Sequence, residues 1–299
     1  MLKPTLLLAI AMLFVTPCAA QPAPQTTGDL PFTFEKGFVV AEATIKRSSV
    51  TVHVVLATGA EHSIMDPALL QKYELSASYA ADGPVTGRND KTIDFSIVPA
   101  VKVGNSKSRD VPMRFGSMSE LSSRLGKEIF AALGADFFEG QIVQFDFKNK
   151  VIRFLDKTPD DVANTNASSQ SAVLKMAPKA DDPFRKTYLL PVVEEVQLNG
   201  QKLKVLMDTG IASSVALSAS AAKKMGFLVP IENGPAREEK VTLNLKSQEL
   251  KDVSVWIYPK GSGPDQKLSK YGAAAGSNFL QNFIALFDYR KGLVVLEPF

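Results

Sequence analysis

The residue with the clearest chemical potential in this sequence is Asp208, within the segment LMDTG at positions 206–210. The apolar residues before the aspartate predict a buried strand, and the glycine after it permits a tight turn because it has no Cβ atom. A carboxyl group held at such a turn can act as a general acid or base toward a bound molecule. A second segment, LATG at positions 56–59, is similar but carries alanine at the corresponding place.

The two segments belong to an internal repeat that spans most of the chain. Residues 51–64 match residues 202–215 at an offset of 151, and residues 133–155 match residues 275–297 at an offset of 142. Two matches in the same order predict that the chain is a duplication of one half.

The repeat sets the expected organisation. We expect an N-terminal half over residues 31–155, a solvated connector rich in Asp, Asn, Ser and Pro over 156–186, and a C-terminal half over 187–299. Apolar and polar residues alternate within each half, which is typical of strands. Asn199-Gly200 predicts a tight hairpin turn, and short helices are expected after Asp66-Pro67 and after Ser218. The fold class is therefore predicted to be all-β with short helices.

Composition and the N-terminal residues limit the classes of protein to which this chain can belong. Lys3 precedes an apolar run over residues 6–15, and small residues at Cys18 and Ala20 predict a signal peptide over 1–20 and a short leader over 21–30. Export is therefore expected, to the periplasm or the medium. Cys18 is the only cysteine, so a mature chain without disulfides favours a bacterial cell envelope.

Other partners gain no support from the sequence. The net charge is +3, and the basic residues are spread evenly rather than clustered, so nucleic-acid binding is not predicted. After the signal no apolar stretch is long enough for a membrane span. Two histidines, His53 and His62, and a single cysteine make a metal site improbable, and no cofactor is implied.

Taken together, these motifs resemble those of the retropepsin-like and pepsin-like aspartic peptidases. The resemblance rests on LMDTG at 206–210, on GSNFL at 276–280 and on the repetition of both segments. It implies a bilobal acid-protease barrel, with two half-domains related by a pseudo-twofold axis and a cleft between them for a peptide or protein substrate. It also implies that Asp208 is catalytic, supported by Thr209 and Gly210.

The first half departs from that pattern, because Ala57 stands where the repeat places a partner for Asp208. The resemblance implies that Thr58 and Thr209 bond across the pseudo-twofold axis, beside Gly59, and that Glu61 contacts the substrate backbone. Paired carboxylates share one proton, so that one serves as base and the other as acid. Losing a general acid typically costs ~10²–10⁴ in rate. Without a neighbouring carboxylate, Asp208 is expected to ionise at neutral pH.

Three hypotheses for function remain open from the sequence. In the first, hydrolysis is weak or requires a homodimer that brings two copies of Asp208 together, although a monomer is favoured. In the second, the protein is a non-catalytic pseudoprotease that binds peptide or protein segments in the cleft. In the third, Glu61 substitutes for the missing acid. If Ala57 replaced a natural aspartate, the natural protein would be a peptidase with both carboxylates.

Overall fold

The computed structural model describes residues 28–45, 50–73, 85–86, 92–93, 95–159, 171–182, 185–246 and 248–299. The predicted signal peptide and residues 21–27 of the predicted leader lie outside these ranges. Strands dominate, and the six helices within the described ranges are at most seven residues long. No helix in these ranges is long and apolar enough to cross a membrane.

Twelve strands form the N-terminal lobe. They are β1 (Leu30–Pro31), β2 (Thr33–Glu35), β3 (Phe38–Ile45), β4 (Val50–Leu56), β5 (Ser63–Met65), β6 (Val85–Thr86), β7 (Thr92–Ile93), β8 (Phe95–Val103), β9 (Arg109–Phe115), β10 (Ala131–Leu133), β11 (Ile142–Asp146) and β12 (Val151–Leu155). Its helices are α1 (Pro67–Lys72), α2 (Ser119–Leu125) and α3 (Ala135–Phe138).

Nine strands belong to the C-terminal lobe. They are β13 (Ala172–Asp182), β14 (Arg185–Leu198), β15 (Gln201–Asp208), β16 (Val215–Leu217), β17 (Arg237–Leu245), β18 (Gln248–Ile257), β19 (Ala273–Gly276), β20 (Phe283–Asp288) and β21 (Leu293–Pro298). Its helices are α4 (Ala219–Lys224), α5 (Gly263–Leu268) and α6 (Ser277–Leu280).

Each lobe contains a sheet that closes on itself, with the same topology in both. The N-terminal order is β2-β3-β4-β10-β5-β9-β8, closed by the pairing of β3 with β8. The C-terminal order is β14-β15-β19-β16-β18-β17, closed by the pairing of β14 with β17. In each barrel one short strand, β10 or β19, pairs parallel to the strand that enters the repeated motif and antiparallel to the strand that leaves it. The repeat seen in the sequence is therefore a repeat of structure.

The two lobes share a sheet that crosses the boundary between them. Strands β11 and β20 pair antiparallel, and Gln144 lies opposite Leu286, its own counterpart at the offset of 142. Two residues away on either side, Ile142 pairs with Asp288 and Asp146 with Ile284. A residue that pairs with its own repeat marks the position of a pseudo-twofold axis, so the predicted all-β bilobal fold is confirmed.

Local predictions fare well except in the connector. Asn199 (φ 47°) and Gly200 (φ 79°) form the turn between β14 and β15, as their tolerance of positive φ predicts. The side chains of Asp66 and Ser218 cap α1 and α4. The predicted solvated connector is wrong over much of its second half, because β13 already begins at Ala172. β13 pairs with β21 over Ala172–Lys175 and with β14 over Met176–Asp182.

Candidate functional site

Two equivalent turns form the centre of the molecule. We call residues 57–60 the Ala57 loop and residues 208–211 the Asp208 loop. Each follows a buried strand and is closed by a backbone hydrogen bond across three residues: Ala60 N donates to Ala57 O at 3.0 Å, and Ile211 N donates to Asp208 O at 3.2 Å. The structure thus places the two repeated motifs in the same conformation.

Four of the hydrogen bonds that join the two loops and the strands before them obey the pseudo-twofold axis. The Thr58 amide donates to Thr209 Oγ1 at 3.2 Å, and the Thr209 amide donates to Thr58 Oγ1 at 3.0 Å. Each hydroxyl in turn donates to a carbonyl of the opposite lobe, Thr58 to Met207 at 3.1 Å and Thr209 to Leu56 at 2.6 Å. Both threonines are fully buried, so these bonds lie in a region of low dielectric where an unpaired group would be costly.

The loops approach so closely that both glycines are required. A Cβ atom added at Gly210 would lie 2.5 Å from Ala57 Cβ, and one added at Gly59 would lie 2.6 Å from Asp208 Cβ. Both distances are shorter than real Cβ atoms allow. Because the two loops pack closely and symmetrically, Ala57 and Asp208 occupy matching places on either side of the axis. One side carries a methyl group and the other a carboxyl group.

The Asp208 carboxyl group is nearly buried, with 6% of the residue exposed. Its Oδ1 accepts hydrogen bonds from Gly210 N at 2.7 Å and Gly59 N at 3.0 Å. Within the described part of the chain its Oδ2 accepts none, and Oδ2 is not among the buried polar atoms that lack a partner. One oxygen is therefore held by the loops and the other keeps contact with solvent.

Burial raises the pKa of Asp208 above its ordinary value. The two backbone amides and the positive charge of Lys267 oppose that shift, but loss of solvation is the largest cause. The expectation that Asp208 ionises at neutral pH stays a prediction, and burial acts against it. It considered the missing neighbour but not the cost of placing a lone charge between two apolar barrels.

Tyr289 is a further member of the site that the sequence analysis missed. Its hydroxyl donates to Thr58 O at 2.7 Å, and its ring stacks on Phe138 with a centroid distance of 5.6 Å. Burial, and secondarily the charge of Asp208, raises the pKa of Tyr289 well above its ordinary value. The signal was present in the repeat, because Tyr289 corresponds to Phe147, and only one copy carries the hydroxyl.

Apolar clusters flank the two loops. The N-terminal cluster consists of Phe38, Val40, Val55, Met118, Leu125 and Ile129, and Ala212 from the other lobe packs on it. The C-terminal cluster consists of Tyr188, Leu190, Val192, Leu206, Ala216, Leu268 and Ala274, joined by Ala135 from the other lobe. Val55 and Leu206 are counterparts in the repeat, so apolar side chains border the loops on both sides.

Glu61 lies beside the C-terminal cluster and is already engaged. Its carboxylate accepts a hydrogen bond from the Tyr271 hydroxyl at 2.7 Å and lies 3.4 Å from Lys270 Nζ. Both partners belong to the opposite lobe, so Glu61 links the lobes next to the site. Burial, followed by the hydrogen bond to Glu61, raises the pKa of Tyr271.

The remaining candidate residues are the two histidines, and their surroundings are those of structural residues. His53 is exposed on β4, and His62 Nε2 lies 2.7 Å from Arg114 Nη2. Among the residues that the structure describes, no group of three or more His, Cys, Asp or Glu side chains could hold a metal ion.

Residues 83–92 fall largely outside the described ranges, but Val85 pairs with Ile93 and Thr86 with Thr92. In the second lobe β17 begins at Arg237, and the stretch before it exposes Leu228 and Ile231 by 69% and 81%.

Comparisons with known proteins add little to this geometry. No family model matches the chain, and no curated protein matches it. Among solved structures it is similar to the crystal structure of basic 7S globulin from soybean, with a TM-score of 0.48 and 10% sequence identity over 90% of this chain and 94% of that chain.

The assignment to the retropepsin-like and pepsin-like aspartic peptidases, made from the motifs, is therefore corrected. No family model and no curated protein matches the chain, so the motifs are left without support for a peptidase family. A short motif such as DTG within a repeat fixes the shape of a turn, and that shape does not determine the family. The all-β bilobal architecture stands on the strand pairings alone.

Proposed function

We propose that this protein binds an extended peptide or protein segment across the Asp208 site and does not hydrolyse it. The observation that carries the proposal is the Ala57 methyl group, which occupies the place that matches the Asp208 carboxyl group while the hydrogen bonds between Thr58 and Thr209 are kept. The two loops that would hold a pair of carboxyl groups are present, but only one of the two carboxyl groups is.

A lone Asp208 is poorly suited to hydrolysis. Attack by water needs a base to take a proton and an acid to donate one, and a single carboxyl group cannot begin the reaction in both states. Burial raises the pKa of Asp208, so the carboxyl group holds its proton more tightly than an exposed aspartate does, and the protonated form cannot activate water but can donate a hydrogen bond to a carbonyl oxygen. The site is therefore better suited to holding a peptide group than to cleaving it.

The other two hypotheses meet specific obstacles. A homodimer that paired two copies of Asp208 would have to displace the Ala57 loop, which four buried hydrogen bonds hold against the Asp208 loop. Glu61 could replace the missing acid only by giving up Tyr271 and Lys270. Neither obstacle applies to binding, which the partly exposed apolar side chains of Ile211, Ala212 and Tyr271 beside the Asp208 loop favour.

The test combines a binding and a cleavage measurement on one library of unstructured peptides. Fluorescence anisotropy would report binding, and mass spectrometry after long incubation would report cleavage. We expect wild-type protein to bind members of the library and leave them intact.

Two variants make the outcome decisive. Ala57→Asp restores a second carboxyl group in surroundings that match those of Asp208, so we expect cleavage to appear, and Ala57→Asp/Asp208→Asn is its inactive control. Cleavage by the wild type that Asp208→Asn abolishes would overturn the proposal in favour of hydrolysis. Absence of binding to every peptide would overturn it altogether. Export, expected from residues 1–20, is a separate part of the proposal, and N-terminal sequencing of the protein from culture fractions tests it.

A further inference from the structure

The repeat defines a place for a second carboxyl group that the chain does not fill. By the pseudo-twofold axis, a group in front of the Ala57 methyl would be positioned relative to Gly59 N and Gly210 N as the Asp208 carboxyl group is. Ala57 is 5% exposed and Asp208 is 6% exposed, so both reach the surface at the same point. A ligand that enters there meets the methyl group on one side and Asp208 Oδ2 on the other.

The polar groups at this point favour an anion. Asp208 Oδ2 has no hydrogen-bond partner within the described residues, and in the protonated carboxyl group it can donate one. Lys267, in α5, is exposed and makes no ion pair with any residue that the structure describes, whereas the neighbouring Lys270 is paired with Glu61. The charge of Lys267 is felt at Asp208, which indicates that its ammonium group lies near the site.

Two carboxyl groups at short distance are stable when they share one proton. A ligand carboxylate next to a protonated Asp208 would form such a pair, with the hydrogen bond running from Oδ2 to the ligand oxygen. The pair of carboxyl groups would then carry one negative charge, and the positive charge of Lys267 would attract it. Carbonyl oxygens of a peptide bond would gain the hydrogen bond but not the attraction to Lys267.

We infer that the place in front of Ala57 receives the C-terminal carboxylate of a bound chain, which pairs with the Asp208 carboxyl group and is attracted by Lys267. This inference rests on the proposed function, because it specifies which part of a peptide the site holds. The members of the two clusters are buried, but the apolar side chains of Ile211, Ala212 and Tyr271 pack on them and are partly exposed. They suit the side chains of the residues that precede the terminus, so a chain end is favoured over a small free carboxylate.

The test compares matched peptides that differ only at the terminus. Fluorescence anisotropy on the whole protein would measure the affinities of library peptides with a free C-terminal carboxylate and of the same peptides with a C-terminal amide, and acetate would be added as a competitor. Charge-assisted hydrogen bonds are the stronger class, so we expect the free acids to bind at least about tenfold more tightly.

Three variants identify the groups responsible. Ala57→Asp places a resident carboxyl group where the ligand's would lie, so the preference for free acids should disappear, measured with peptides that mass spectrometry shows to be still intact. Lys267→Met should reduce the preference several-fold, and Lys223→Met, a matched change at an exposed lysine in α4, should leave it unchanged.

The outcomes separate the two proposals. Equal binding of acids and amides, or an undiminished preference in Ala57→Asp, would overturn the inference while the proposed function stands. Binding of neither peptide would overturn the proposed function itself. Acetate that displaces the peptides at concentrations comparable to theirs would overturn the assignment to a chain end in favour of small carboxylates.

Discussion

Thr209→Val is the substitution whose cost can be worked out most directly from the geometry. The Thr209 hydroxyl accepts a hydrogen bond from Thr58 N and donates one to Leu56 O, and all three residues are fully buried. Valine keeps the shape of the side chain and removes both interactions. The change therefore leaves one buried amide and one buried carbonyl without these partners.

Each buried polar group left without a partner costs about 1–3 kcal/mol, so two such groups predict a loss of about 2–6 kcal/mol in the free energy of unfolding. Slight relaxation of the loops and the added methyl group favour the lower half of that range. The pseudo-twofold axis makes a second prediction: Thr58→Val removes the equivalent pair of bonds, to Thr209 N and Met207 O, and should cost about the same.

Urea unfolding followed by the fluorescence of Trp256, the only tryptophan, measures the loss in the C-terminal lobe. Far-UV circular dichroism on the same samples tests whether both lobes unfold together. Thr51→Val on the exposed face of β4 is the matched control and should change stability by less than about 0.5 kcal/mol. If Thr209→Val is as stable as Thr51→Val, the two loops are not joined as described.

Three more predictions concern single groups at the site. Burial raises the pKa of Asp208 in the folded protein, so the group stabilises the fold below its unfolded pKa, and that stabilisation is lost as pH rises through its folded pKa. Asp208→Asn should therefore gain stability relative to wild type between pH 4 and pH 8 in thermal unfolding. Tyr289→Phe removes the hydrogen bond to Thr58 O and should cost about 1–3 kcal/mol in urea, and no measurable loss would refute its role as a tether. A Cβ atom at Gly276 would lie 2.3 Å from a backbone carbonyl oxygen, so Gly276→Ala should lower the melting temperature strongly, whereas Gly263→Ala, with open space around it, should not; equal melting temperatures would contradict this.

The architecture could be predicted from the sequence because the duplication repeats the same pattern in both halves. The two offsets differ by the longer insertion in the first half, yet each matched segment folds identically, and Gln144 pairs directly with its counterpart Leu286. Turn chemistry at Asn199-Gly200 and capping at Asp66 are local effects, so they too could be predicted.

The features that the sequence did not reveal depend on burial and on contacts between residues that lie far apart in the sequence. The raised pKa of Asp208 follows from burial between two barrels, which no local pattern encodes. Glu61 contacts Tyr271 across 210 positions of sequence, and Tyr289 reaches Thr58 across 231. The sequence predicts a connector over strand β13 because polar segments precede it and continue from its second half, whereas pairing with β21 and β14 decides its structure. The motif also suggested a peptidase family that no family model supports.

Binding of a chain end without hydrolysis depends on one property, the protonation of a solitary carboxyl group. The most direct measurement is a pH titration of the Asp208 carboxyl carbon by ¹³C NMR, assigned with Asp208→Asn. The structure predicts a pKa above the ordinary aspartate value of about 3.9. A midpoint at or below that value would contradict the effect of burial on this group and, with it, the role of Asp208 as a hydrogen-bond donor.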